Sequence, residues 1–220
     1  MPDRAEQMVP VVERRCPQRR ARVVLASLLA CAVSGCAPGP DALWDDPAVQ
    51  RALSEYLTSP NDIPGKNPVL LSACTFPEKW PAFPGTPEDL SGSHTFDQCQ
   101  FVGSSDGTGV GLGCASTLHL EQHGDRVTQT YEGATSTGEG VEGWITTSRA
   151  SDGSLVGYMI FDNHATSATC TSDLIDMIAL RDLPANLGGG YAVCALAIVK
   201  SRQGDCGNPD WSLSTAHWAK

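Results

Sequence analysis

Downstream of Ser91 the chain is written largely in period two. In LGCASTLHLEQHGDRVTQTYEG, Leu112, Cys114, Ser116, Leu118 and Leu120 alternate with Ala115, Thr117, His119 and Glu121, the spacing of a strand with one buried face. A polar turn at His123-Gly124-Asp125 follows, and RVTQTYEG returns with Val127, Gln129 and Tyr131 opposite Thr128 and Thr130, which predicts a hairpin. VEGWITTS, a turn containing Asp152-Gly153, and LVGYMIFD repeat the unit. GGGYAVCALAIVKS reads as a further strand, and the tail DCGNPDWSLSTAHW holds one more candidate. Asp173 to Leu183 admits two readings. Thr171 and Ser172 could cap a helix, whereas Leu174, Ile178 and Leu180 alternating with charged Asp176 and Asp182 favour a strand, as do its strand neighbours.

Upstream, the pattern is different. DDPAVQRALSEYLTS predicts one helix of three turns: Asp46 caps it, Pro47 fits the first turn, and Val49, Leu53, Tyr56 and Leu57 share a face. SPNDIPGKNP and FPEKWPAFPGTPEDL are proline-punctuated connections on either side of a short apolar strand, VLLSAC. No element has the spacing of βαβ units. The expected fold is therefore mainly β, an antiparallel meander forming a barrel or a sandwich, with one short N-terminal helix. LHLEQHGDRVTQTYEG, GEGVEGWI and SDGSLVGYMIFD also resemble the meander of lipocalin-like and avidin-like barrels over Leu112 to Asp162, with Gln129 where that pattern usually carries Gly. The resemblance favours a barrel and transfers no binding residue.

The most apolar run, VVLASLLACAVSGCAPG, has an apolar core of roughly half the about 20 residues needed to span a bilayer. Arg14, Arg15, Arg19, Arg20 and Arg22 precede it, and small residues follow, the order of a secretory signal. Met8 is an alternative start within its long basic region. Val33-Ser34-Gly35-Cys36 resembles the lipobox of bacterial lipoproteins. That resemblance implies that residues 1–35 are removed and that Cys36 becomes the acylated first residue, a membrane anchor of two or three chains. Ala37 replaces the aspartate that retains many such proteins at the inner membrane, which points to the outer membrane of the cell envelope. The competing reading is a conventional signal with Cys36 as a disulfide partner. On the lipoprotein reading, residues 36–42 form a Pro/Gly-rich tether and residues 43–220 a single disulfide-braced β-rich domain.

Charge and cysteine content follow from that division. Residues 1–35 hold 6 of the 15 Lys+Arg and 3 of the 25 Asp+Glu, which leaves 9 basic and 22 acidic groups and a net charge of −13. Such a domain offers no basic footprint for nucleic acid. Cys16 and Cys31 leave with the signal, and Cys36 carries lipid. Cys74, Cys99, Cys114, Cys170, Cys194 and Cys206 remain, an even set expected to form three disulfides in an oxidising compartment. Of the 15 connectivities open to six cysteines, a turn at Gly204-Asp205 favours Cys194 with Cys206.

Candidate chemistry is sparse. His119 and His123, four apart on a strand, lie on one face about 13 Å apart at a 3.3 Å rise, too far to share an ion, so no metal site and no cofactor are expected. Asp162 and His164 share a strand face near Ser167, but no G-x-S-x-G elbow accompanies them. SSDGTGVGLG lacks the Lys-Ser/Thr ending and the helix of a phosphate loop. Glu139 and Glu142 are a candidate acid/base pair or solubilising charge. Trp80, Trp144, Trp211 and Trp218 are expected to pack in the core or at its rim. Two function classes remain. One is a lipid-anchored, non-enzymatic envelope protein that binds a small ligand or a partner protein. The other is an extracytoplasmic hydrolase using carboxylates or the Asp162/His164 pair.

Overall fold

The computed structural model describes residues 38–56, 66–107, 117–132, 140–166, 169–207 and 209–219. The signal segment, Cys36, Leu57, Leu112 to Ser116, Glu139 and Ser167 lie outside the described residues. Eight strands follow one another in sequence and in space: β1 (Gly92–Ser104), β2 (Thr117–His123), β3 (Arg126–Glu132), β4 (Val141–Arg149), β5 (Leu155–Thr166), β6 (Cys170–Asp182), β7 (Tyr191–Gly204) and β8 (Trp211–Trp218). Each pairs antiparallel with the next, and β1 pairs antiparallel with β8, so the sheet closes into a barrel. The β2–β3 hairpin turns through Gly124 and Asp125, with His123 opposite Arg126 and Gly124 at φ 67°, a conformation that glycine adopts without a Cβ penalty.

Two side-chain clusters occupy the two faces of this sheet. One draws on every strand, with Phe96, Leu118, Val127, Ile145, Met159, Ile178, Val193 and Trp218 among its members, and is therefore the barrel interior. The other lies outside β5 to β8, where Ile160, Met177, Leu196 and Leu213 pack against Trp44, Val49, Leu53, Leu70 and Phe76 of the N-terminal segment. Burial on both faces explains why β5, β6 and β7 read as nearly continuous apolar runs.

The N-terminal segment supplies that outer cover. Helix α1 (Pro40–Trp44) occupies part of the stretch expected as tether, α2 (Pro47–Tyr56) is the expected helix, and α3 is Pro68–Leu71. Asp46 Oδ1 accepts the amide of Ala48 at 2.8 Å, and Val49 and Leu53 are buried, as the amphipathic pattern predicts. The VLLSAC stretch departs from expectation, because its start is helical. Asn67 accepts from the amide of Val69, and Pro68 fills the first helical position, a cap-and-proline start too short to reveal a period. The strand β1 had no sequence prediction. Its pairing with β8 shifts register between Asp97 and Gln100 and again between Phe101 and Gly103, and Gln98 sits at φ 50°; bulges of this kind interrupt alternation.

Cys74 is bonded to Cys194 and Cys170 to Cys206, and Cys99 is disulfide-bonded as well. The expected Cys194–Cys206 pairing is thus corrected. β7 runs without reversal from Tyr191 to Gly204, which sets the two residues roughly 33 Å or more apart at a 3.3 Å rise. Cys194 faces outward and fastens the segment after α3 to the barrel wall, whereas Cys206 bridges to the start of β6.

Candidate binding site

Alternate side chains of a barrel strand point inward, and the register fixes which ones. On β5 and β6, Met159 opposes Ile178, Phe161 opposes Asp176 and Asn163 opposes Leu174. Across β6–β7, Ile178 opposes Ala195 and Asp176 opposes Ala197; across β7–β8, Ala195 opposes Ser214 and Ala197 opposes Ser212. The inner face therefore changes character along the barrel axis. Toward one end it is built from Ile, Leu, Met and aromatic side chains, and toward the other Ala, Ser, Asn and Asp join Leu174, Phe101 and Tyr131.

The apolar end is plugged. Trp218, fully buried, lies against His94, Phe96 and Tyr191, with ring centroids 4.2, 6.3 and 5.5 Å away. The chain entering β1 crosses this end and is pinned from inside. Glu88 N donates to Thr147 Oγ1 at 2.7 Å, Leu90 N to Gln122 Oε1 at 2.9 Å, and Gln122 Nε2 to the Glu88 carbonyl at 3.1 Å. His94 Nε2 bonds the Leu90 carbonyl at 3.0 Å. Burial holds the His94 imidazole below the usual histidine range, with the Leu90 bond opposing the shift. The contact requires a proton on Nε2, which then donates to the Leu90 carbonyl.

Toward the other end the inner face is less completely buried among the described residues. Asn163, Leu174, Asp176, Ala195, Ala197 and Ser212 are all partly exposed although they face inward, above a floor in which Phe161 and Met159 have no exposure. The inward side chains at this level are small on β7 and β8: Ala195, Ala197 and Ser212. Asp176 is its one inward carboxylate among these residues. Asn163 Nδ2 donates to Asp176 Oδ2 at 2.8 Å, and among the described residues no Lys, Arg or His forms an ion pair with it. Desolvation raises the Asp176 carboxyl above the ordinary aspartate range, and the Asn163 bond acts in the opposite direction. Gly143 belongs to the same wall. A Cβ there would overlap the Ile160 carbonyl oxygen and the Phe161 ring, so only glycine lets Phe161 lie across β4.

The residues singled out from sequence lie elsewhere. Asp162 takes Lys200 Nζ at 2.9 Å, while His164 Nδ1 bonds Asp173 Oδ1 at 2.8 Å. Ser201 Oγ donates to the other oxygen of that aspartate at 2.6 Å, and the two bonds hold the Asp173 carboxyl low, the serine bond foremost. The order is serine–aspartate–histidine, with the carboxylate central, so no imidazole stands ready to take the serine proton. His119 bonds Ser93 at 2.7 Å and pairs with Glu132 at 3.4 Å, and His123 pairs with Glu121 at 3.4 Å. Glu142 is bound by Arg126, whose guanidinium sits 4.1 Å from the Trp144 ring centroid. Trp80, Trp144 and Trp211 pack at the edge of the outer cluster, and Trp218 is the plug.

Asp176 and Asn163 were not marked as site residues. The sequence pattern sets Asp176 and Asp182 against Leu174, Ile178 and Leu180, whereas all of them share one parity and one face. The available signal was a carboxylate at an inward position of a strand that is apolar on both sides. Scans against protein-family models, curated proteins and solved structures find no match to this chain.

Proposed function

We propose that the chain is a lipid-anchored envelope protein of non-enzymatic type, held by acylated Cys36 at the outer membrane, whose barrel binds a small ligand at the end opposite Trp218. One observation carries the binding reading: inward side chains from Asn163 to Ser212 remain partly exposed above a closed apolar floor. Binding sites of this kind are concave and preformed, with a few polar groups on mostly apolar walls. Leu174 supplies apolar wall, and Asp176 and Asn163 supply the polar groups. The anchor reading rests on Val33-Ser34-Gly35-Cys36 and the basic and apolar segments before it.

The test uses anchor-free protein and N-phenyl-1-naphthylamine, a neutral aromatic probe whose fluorescence rises in apolar sites. Saturable binding at one probe per barrel is expected. Ala197→Leu and Ala197→Phe, which fill the volume opposite Asp176, should weaken it by at least about tenfold while circular dichroism and melting stay near those of the parent. Binding that ignores both substitutions in folded protein would overturn the site assignment.

A further inference from the structure

We propose that this site selects ligands carrying a cationic nitrogen, an ammonium or amidinium head on a short apolar body, with Asp176 as the counter-charge. The inference rests on the binding reading above and deepens it.

A carboxylate offers about four lone-pair sites for hydrogen bonds. Asp176 uses one of them, for Asn163. Other acidic side chains of the barrel wall have cationic partners: Asp162 has Lys200, Glu142 has Arg126, and Asp182 has Arg149. Arg202, opposite Ser172 nearer the rim, is bonded to Asp210. Asp176 thus has no cationic partner among the described residues, in a partly desolvated place where an ionised carboxylate costs free energy unless something compensates it. Its raised carboxyl pKa records that cost.

The surroundings fit an ammonium better than a free metal ion. Asn163 fixes one carboxylate oxygen and presents its NH2 group, a donor, toward it, and no cluster of three or more His, Cys, Asp or Glu occurs among the described residues. An N–H donor can take the remaining lone pairs of Asp176, and a charge-assisted bond of this type is stronger than a neutral one. The attached apolar body then lies against Leu174, beside the small side chains of Ala195 and Ala197. The acidic balance of residues 36–220 favours the approach of cations and disfavours anions.

Three probes share one ring and differ in charge: 1-naphthylmethylamine, 1-naphthylmethanol and 1-naphthoate. Their affinities for the anchor-free, disulfide-intact protein are read by titration calorimetry at pH 7. The amine is expected to bind at least about tenfold more tightly than the alcohol, and the acid more weakly than either. Asp176→Asn should bring amine and alcohol within about twofold, and Asn163→Ala should keep the amine preference. Equal affinity for amine and alcohol, with both weakened by Ala197→Leu, would overturn the charge selection while leaving the binding site in place. Amine binding and amine preference both unchanged in Asp176→Asn would overturn Asp176 as the counter-charge. No binding of any probe up to 10 mM, about 10,000-fold above a typical micromolar site, would overturn both.

Discussion

Asn163 reaches across the β5–β6 ladder to donate from Nδ2 to Oδ2 of Asp176 at 2.8 Å, on the inner face of the barrel. The bond is diagonal, since Asn163 directly opposes Leu174 and Asp176 directly opposes Phe161. It holds the carboxylate over an apolar floor and leaves its second oxygen available to a ligand.

This placement predicts an unusual sign for the stability of Asp176→Asn. The folded-state carboxyl is raised above its ordinary value of 3.8, so the folded protein binds the proton more tightly than the unfolded chain. Stability from this group is fully present below about pH 3.8 and is lost as pH rises through the folded pKa. Asparagine removes the charge and can still accept from Asn163. Asp176→Asn should therefore be more stable than the parent at pH 7, with the gain vanishing near pH 3.5. Urea unfolding at both pH values measures it, and a variant less stable at pH 7 would refute it.

Much of the barrel could be read from the chain, and the reasons for the exceptions are physical. Leu118, Leu120 and Val127 alternate and are buried, so the β2–β3 hairpin was explicit in sequence. β6 looked ambiguous because Ile175 and Met177 pack outward and Ile178 and Leu180 inward, which erases the period that separates strand from helix. β1 was silent because its bulges reset the alternation. The candidate site was the least legible part, since it depends on Asn163, Asp176 and Ala197 meeting from three strands, and no linear motif encodes a register.

Gly143→Ala tests the floor of the site. The added methyl would meet the Ile160 carbonyl oxygen and the Phe161 ring, and a backbone oxygen in a ladder cannot move aside. We expect a loss of about 3 kcal/mol in unfolding free energy, at the upper end for overpacking. A loss below about 1 kcal/mol would show that β4 and β5 tolerate a Cβ there.

Cys74–Cys194 closes 120 residues and Cys170–Cys206 closes 36. Chain-entropy arguments give about 5 and about 4 kcal/mol respectively as upper figures. Removing the first bridge with paired Ser substitutions should also release the helical segment from the outer face of β7. Limited proteolysis ahead of Phe76 should follow in that variant and not in the one lacking Cys170–Cys206. Mass spectrometry of unreduced protein lacking residues 1–36 should find no alkylatable thiol among its six cysteines.

For the anchor, labelled palmitate is expected to enter the wild-type chain in a bacterial host and to be absent from Cys36→Ala. Membrane partitioning should fall in parallel, because two or three acyl chains are what hold the protein stably. Unchanged labelling in the variant would remove the lipoprotein reading and leave the domain reading untouched.

The plugged end should open first in acid, and His94 is the group to follow. Burial lowers its pKa below the ordinary 6.5, with the Leu90 carbonyl bond opposing and His119 adding slightly. The unfolded chain therefore binds the proton more readily. Stability from neutral His94 is fully present above about pH 6.5 and is lost as pH falls through the depressed folded value, the opposite sense to Asp176. The imidazole lies 4.2 Å from Trp218, centroid to centroid, so charging it disturbs the plug directly. His94→Gln keeps an N–H donor for Leu90 and does not titrate. The difference in stability between parent and His94→Gln, which cancels the remaining histidines, should shrink as pH falls from 7 to 5, with the parent losing more. A difference constant over that range would show that His94 keeps an unshifted equilibrium and that the plug does not sense acid through it.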